Sequence, residues 1–260
     1  MAYSNFHTHS TYCDGVSTLE ETVLTAIEMG CKSLGFSGHS YTFFDEEYAM
    51  TQEGTEAYKH EVGELKDKYA DQIRILCGIE QDFFSAEPTE GYDFVIGSVH
   101  YVLKDGVYVP VDNTAEDFVA DVAKHFDGDY LAFCEAYYAQ VADVVEKTGC
   151  TFVGHFDLVT KFNQDNKLFD MEHPRYVKAS SEALEALCAQ GAMFEINTGA
   201  MAKGYRTEPY PSVHLLRQLA AAHAPVVLTS DCHKASMLQF GLKEADDLAK
   251  SLGLQVVYEL

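Results

Sequence analysis

The sequence predicts an α/β protein built on a parallel sheet, open or closed into a barrel. Three observations carry that expectation. Short apolar runs alternate with segments of helical periodicity along the chain. Each of seven candidate strands ends in, or just before, a residue type that binds metal. No internal repeat, low-complexity stretch or linker interrupts the 260 residues, so 1–260 reads as one domain.

In chain order, a strand over 3–8 leads to a helix over 18–29. A capping box, Ser17-x-x-Glu20, opens that helix; Leu19, Val23 and Ile27 share one face, and Gly30 stops it. A strand over 33–38 precedes a helix over 52–70 that carries Tyr58, Val62, Leu65 and Tyr69. Strands at 73–79 and 93–99 follow. Residues 102–109 break the alternation and read as a β-hairpin turning at Asp105-Gly106. Helices over 115–126 and 131–148 come next, the second ended by Gly149. The remaining strands are 151–155, 192–197, 226–230 and 255–259, and the remaining helices 175–190, 212–223 and 242–252. The helix after Pro211 carries Leu215, Leu216 and Leu219.

Composition narrows the function. A formal net charge of −23 repels nucleic-acid phosphates and anionic membranes, so neither is an expected partner. A small anionic substrate stays open, because bound metal ions can invert the field inside a pocket. No apolar run reaches membrane-spanning length, and residues 1–6 lack the basic and apolar regions of a signal peptide. The seven cysteines are scattered, with no Cys-x-x-Cys pair, as expected of reduced, mostly buried thiols in a cytoplasmic protein.

The strand ends hold the chemistry. They give His7-Thr8-His9 with Asp14 beyond, then His39, Glu80, His100 and His155, then Glu195-Ile196-Asn197, then Asp231-Cys232-His233. Residues i and i+2 of a strand face the same side, so His7 with His9, and Asp231 with His233, can face one centre. Functional sites of such folds lie at the carboxyl ends of the strands. The other five histidines (His60, His125, His173, His214, His223) fall on helices or loops and read as ordinary. Imidazole and carboxylate without thiolate suit Zn²⁺, Mn²⁺ or Fe²⁺. Nine candidate ligands are too many for one ion and reasonable for three. Cys13 and Cys232 read as packing residues.

The series His7-x-His9, Asp14, His39, Glu80, His100, His155 and Asp231-x-His233 resembles the polymerase and histidinol phosphatase (PHP) family across essentially the whole chain. The stretches 154–162, 195–199 and 209–212 look like its histidinol-phosphate phosphatase branch. The resemblance implies a distorted (β/α)7 TIM-like barrel with a site of two to three divalent ions at the strand ends. It implies one subsite of His7, His9, Glu80 and Asp231, and a second of Glu80, His100 and His155. Asp14, His39 and His233 would form the third, with Asp14 standing where many relatives have histidine. The implied activity is phosphomonoester hydrolysis of a small substrate by a hydroxide bridging the first two metals, with Glu80, Asp231 and His233 as the catalytic set. A metal-bound water, Asp231 or His233 could protonate the leaving alkoxide. Lys161, Lys203 and Arg206 are the candidate phosphate cations, and Asn197 a further substrate contact. Lys161 stands where relatives use arginine and acts as a point charge. Other phosphatase or phosphodiesterase substrates, an amidohydrolase, and a non-enzymatic metal-bearing domain are the competing readings; oligomeric state is left open.

Overall fold

The computed structural model describes residues 2–260. Its strands are β1 (Ser33–Phe36), β2 (Arg74–Asp82), β3 (Phe94–Ser98), β4 (Tyr101–Lys104), β5 (Val107–Pro110), β6 (Phe152–Val153), β7 (Phe194–Asn197), β8 (Pro225–Thr229) and β9 (Gln255–Val257). Seven of them form one parallel sheet in the order β1-β2-β3-β6-β7-β8-β9, and β4 and β5 make the antiparallel hairpin expected around Asp105-Gly106. Among the connections are α1 (Leu19–Met29), α2 (Gln52–Lys68), α3 (Ala115–His125), α4 (Tyr130–Val141), α5 (Val144–Thr148), α6 (Pro174–Ala189), α7 (Gly199–Ala202), α8 (Val213–Ala221) and α9 (Leu242–Leu252). None of the described helices is long and apolar enough to cross a membrane.

The sheet is curled. Phe6, Leu76, Phe94, Ile96, Phe152 and Val227 form one buried cluster, although β2, β3, β6 and β8 span most of the sheet's width. A flat sheet could not bring them together. The ring of Phe94 sits 6.0 Å from those of both Phe6 and Phe152. Glycines admit it: a Cβ on Gly35 would lie 2.8 Å from the Phe94 ring, and one on Gly78 only 2.3 Å. Residues 76, 78 and 80 of β2 face the same way, so the alternation that buries Leu76 against this plug places Glu80 above it.

The N-terminal segment departs from the expected strand over 3–8. It makes two isolated bridges, Asn5 with Leu34 and Thr8 with Cys232. Gly35 and Ser37 donate their N–H groups to Asn5 and Thr8, while His9 donates to Cys232 and Cys232 to His7. The segment therefore lies between β1 and the chain beyond β8. Its second neighbour has already left strand geometry, with Asp231 at φ 48°, so the ladder cannot continue.

Other boundaries moved for identifiable reasons. The capping box is Thr18 with Glu21, one residue later than Ser17-x-x-Glu20. Ser17 is engaged elsewhere, accepting from the Ala235 N–H through its hydroxyl. The helix expected over 131–148 is two helices. α4 packs Phe133, Tyr137 and Tyr138 into the large core between α6 and the sheet, whereas α5 turns to set Val144 and Thr148 against β3. β6 is two residues long rather than the expected 151–155. The short α7, read from sequence as a loop, carries the chain from Asn197 toward Lys203.

Gly78→Ala tests the plug. Its Cβ has no room beside Phe94, so the urea midpoint should fall by the equivalent of about 1–3 kcal/mol; an unchanged midpoint would show that the ring yields freely.

Candidate metal centre

The centre is built around one carboxylate. Glu80 is buried at the end of β2. Its Oε1 lies 2.9 Å from His155 Nε2 and 3.3 Å from His100 Nε2. Its Oε2 lies 3.0 Å from His39 Nδ1, 3.1 Å from His7 Nε2 and 3.5 Å from His9 Nε2. Ser98 completes the set by donating to Oε1 at 2.7 Å. Asp231 approaches from the β8 side, its Oδ1 3.3 Å from His9 Nε2 and 3.7 Å from His7 Nε2. Gly199 permits this approach, since a Cβ there would lie 2.7 Å from the Asp231 Cβ. At the solvent edge, Asp14 Oδ2 is 3.0 Å from His233 Nε2, and its Oδ1 is 3.6 Å from both His9 Nδ1 and His39 Nε2.

This donor set fits metal. His7 Nε2, His9 Nε2, Glu80 Oε2 and His155 Nδ1 are buried without a hydrogen-bond partner. Orphaned buried polar atoms cost free energy unless something satisfies them. Four groups bring their ligand atoms within 4.8 Å of one another: His9/Asp14/His39/His233, His7/Glu80/His155, His7/His9/Asp231 and His39/Glu80/His100. Ligands on opposite sides of an ion with bonds of about 2.1 Å lie roughly 4.2 Å apart, so these spacings suit a shared cation. All nine expected ligands fall in these groups.

Neighbouring groups fix the rings. Glu195 takes His7 Nδ1 at 2.8 Å and accepts from the His155 N–H at 2.5 Å, the Thr229 hydroxyl at 2.7 Å and the Asn197 amide at 2.9 Å. Asp82 Oδ2 lies 3.2 Å from both His100 Nδ1 and the His100 backbone nitrogen. The Asp231 carbonyl takes His233 Nδ1 at 2.9 Å. Holding Nδ1 turns Nε2 of His7 and His100 toward Glu80 and that of His233 toward Asp14, and sets the tautomer.

The charges follow from this crowding. Burial opposes ionisation of Glu80, yet His39, His7 and His100 hold its carboxyl well below the usual range. Burial works against a charged His7, but Glu195, Glu80 and Asp231 raise it well above an ordinary imidazole. His9 goes the other way, pushed down to about 3 by burial and by His233 and His39. Its ring is neutral and its lone pair available. Burial pushes the Cys13 thiol up to about 12, which agrees with a packing residue rather than a thiolate ligand.

A cavity of about 380 Å³ opens on the centre. Glu80, His100, His155, Asp231 and His233 form its floor. Lys161 and Lys203 line it; Lys161 is tied to Asp112 at 2.9 Å, while Lys203 makes no ion pair among the described residues. Of the acidic and aromatic groups in the loops above, Asp45, Glu47, Asp112, Tyr48, Tyr101 and Tyr210 also line it. Phe44 is instead stacked on Tyr108 at 3.8 Å in an aromatic cluster with Phe43 and Phe84, away from the lining.

Two expected substrate contacts are engaged inside the protein and do not line the cavity. Arg206 is buried, donates to Thr160, Glu208 and Ser212, and lies 3.6 Å from Asp157. Compensating that buried carboxylate has drawn it off the cavity wall. Asn197 is also fully engaged: its amide nitrogen serves Glu195, and its oxygen accepts from the Gly199 N–H at 2.8 Å. Sequence reading marked Glu195 only as a strand-end carboxylate, without its ring-holding role, and did not single out Asp82. A signal for Glu195 existed, because a carboxylate between Phe194 and Ile196 in a buried strand must have a partner.

With this geometry established, comparison with known proteins adds the following. A family model described as PHP domain matches residues 5–199. The probable histidinol-phosphatase of Schizosaccharomyces pombe is 27% identical over 248 residues, covering 87% of this chain and 79% of that protein. The histidinol-phosphatase of Bacillus subtilis is 28% identical over 253 residues, covering 88% and 92%. A crystal structure of histidinol phosphate phosphatase from Lactococcus lactis, complexed with Zn, L-histidinol and phosphate, aligns with TM-score 0.74 at 23% identity over 98% of this chain and 95% of that one. At that identity the likeness speaks to the fold.

Elemental analysis of protein purified without chelator should find two to three transition-metal ions per chain, and prolonged chelation should lower the thermal midpoint. Glu80→Ala should lose most of that metal, whereas His173→Ala and His223→Ala should keep it; equal losses would mean the centre lies elsewhere. Glu195→Gln replaces the anionic acceptor of His7 by a neutral amide and should weaken metal binding or turnover by about 10–100-fold, and wild-type values for both would contradict the role given to that carboxylate.

Proposed function

The chain belongs to the PHP domain family, and from that premise we propose that it is a metal-dependent phosphomonoesterase acting on L-histidinol phosphate. One observation carries the reading: nine candidate ligand side chains cluster at and beneath the floor of a cavity whose walls hold two lysines, three carboxylates and three tyrosines. The relatives named histidinol-phosphatase support the substrate. So does the chemistry of the walls. The lysines suit a phosphate, Asp45, Glu47 and Asp112 an ammonium, and Tyr48 and Tyr101 an imidazole. The same carboxylates oppose a polyanionic nucleotide.

We assign His7, His9, Glu80 and Asp231 to a first ion, Glu80, His100 and His155 to a second, and Asp14, His39 and His233 to a third. We read the ring of segment 5–9 with the sheet as a distorted (β/α)7 barrel forming one domain over 1–260. Asp231 and His233 lie beyond the matched stretch yet join the same centre, which supports that span. Seven free cysteines support a reducing, cytoplasmic setting.

Bound ions lower the pKa of water, neutralise phosphoryl oxygens and align the reacting groups. The protein does the rest. Lys203, which makes no ion pair among the described residues, attracts the phosphoryl group, and Lys161 adds a charge moderated by Asp112. Glu195, Asp82 and the Asp231 carbonyl keep the imidazoles from turning. Asp231 and His233, on the floor of the cavity that Lys203 also lines, are the protein groups placed to pass a proton to the leaving oxygen. Asp45, held by the Tyr101 hydroxyl at 2.7 Å, fixes the substrate's cationic end.

A panel of phosphomonoesters tests this. kcat/KM for L-histidinol phosphate should exceed that for sugar phosphates and p-nitrophenyl phosphate by about 100-fold or more. A flat profile would remove the substrate assignment. Lys203→Ala should weaken inhibition by inorganic phosphate by the loss of about 1.5–3 kcal/mol, while Arg206→Ala should act mainly on stability.

A further inference from the structure

Tyr210 carries a feature that the centre and the lysines do not use. The residue lines the cavity, is 2% exposed, and has a hydroxyl with no hydrogen-bond partner among the described residues. A buried phenol without a partner is costly unless a ligand supplies one.

The ring is held firmly. The Arg206 guanidinium carbon sits 4.5 Å from its centroid, and the His155 ring lies 6.3 Å away at 72°. The Tyr210 backbone N–H and carbonyl both pair with Asn197, at 2.9 and 2.8 Å. Arg206 is in turn anchored by Thr160, Glu208, Ser212 and Asp157. The cation drawn off the cavity wall thus clamps the aromatic that remains on it. Burial raises the phenol well above its ordinary pKa, so it stays a donor and cannot serve as a base.

We propose that the Tyr210 hydroxyl donates a hydrogen bond to a phosphoryl oxygen of the bound substrate, forming the phosphate subsite together with Lys161 and Lys203. A neutral, fixed donor adds directionality that two flexible point charges lack. This inference rests on the phosphomonoesterase reading above. One internal alternative exists, because Asp157 Oδ1 is also buried without a partner and could take the hydroxyl.

Titration calorimetry of inorganic phosphate into the metal-loaded protein, wild type against Tyr210→Phe, decides the matter. The variant should bind phosphate about 10–100-fold more weakly, as expected for loss of a hydrogen bond to a charged group. Its metal content, thermal midpoint and affinity for L-histidinol should be unchanged. Equal phosphate affinity overturns the proposal, and equal affinity with a lowered midpoint assigns the hydroxyl to Asp157. Loss of metal alongside weaker phosphate binding overturns it too, as does a wild type that binds no phosphate. A wild type that prefers a different phosphomonoester, with the phosphate loss in Tyr210→Phe intact, would remove the substrate reading and leave this inference standing.

Discussion

The buried charge of Glu80 governs the centre. A carboxylate taken out of water is strongly disfavoured unless it is surrounded by compensating groups. Here five imidazoles from four separate stretches of chain supply that surrounding, and three of the centre's nitrogens remain without a hydrogen-bond partner. Protons alone leave the cluster incompletely paired; divalent ions would satisfy the lone pairs that the imidazoles turn inward. The residues beside the ligands then take on a defined task, since each ring must keep one nitrogen pointed at the centre.

Convergence of this kind requires the sheet to curl. Gly35 and Gly78 leave room for Phe94, Phe94 packs between Phe6 and Phe152, and the polar layer of Glu80, Ser98, Glu195 and Thr229 sits above that apolar plug. The N-terminal segment joins the two sides, bonding the β1 side through Asn5 and Thr8 and Cys232 through His7 and His9, and those two histidines also face Glu80. The curl of the sheet and the placement of the ligands are therefore linked. Removing the metal should loosen both.

The cavity divides its charge. The molecule as a whole is strongly acidic and the cavity floor is suited to cations, yet its wall carries Lys203, which makes no ion pair among the described residues. Lys161 and Arg206 show two outcomes for a basic residue near a carboxylate. Lys161 pairs with Asp112 at the cavity and stays on its lining, whereas Arg206 is drawn into the buried network of Asp157. There its planar group serves as a clamp on Tyr210.

Local pattern in the sequence carried a large part of this. Short apolar runs and 3.6-residue periodicity located most strands and helices to within a few residues, because both are properties of neighbouring positions. Histidine and carboxylate at successive strand ends marked the centre, since a parallel sheet puts all those ends on one side. Tertiary structure decided what depends on distant partners. Whether 3–8 forms a continuous strand depended on where the chain beyond β8 turns, and the break between α4 and α5 depended on what each packs against. Arg206 and Lys203 look alike in sequence, three residues apart; only the fold shows that Arg206 faces Asp157. Glu195 reads as a strand-end carboxylate until His7, 188 residues earlier, is found 2.8 Å away. Hydrogen bonds and ion pairs act over a few ångströms of space and are indifferent to separation along the chain.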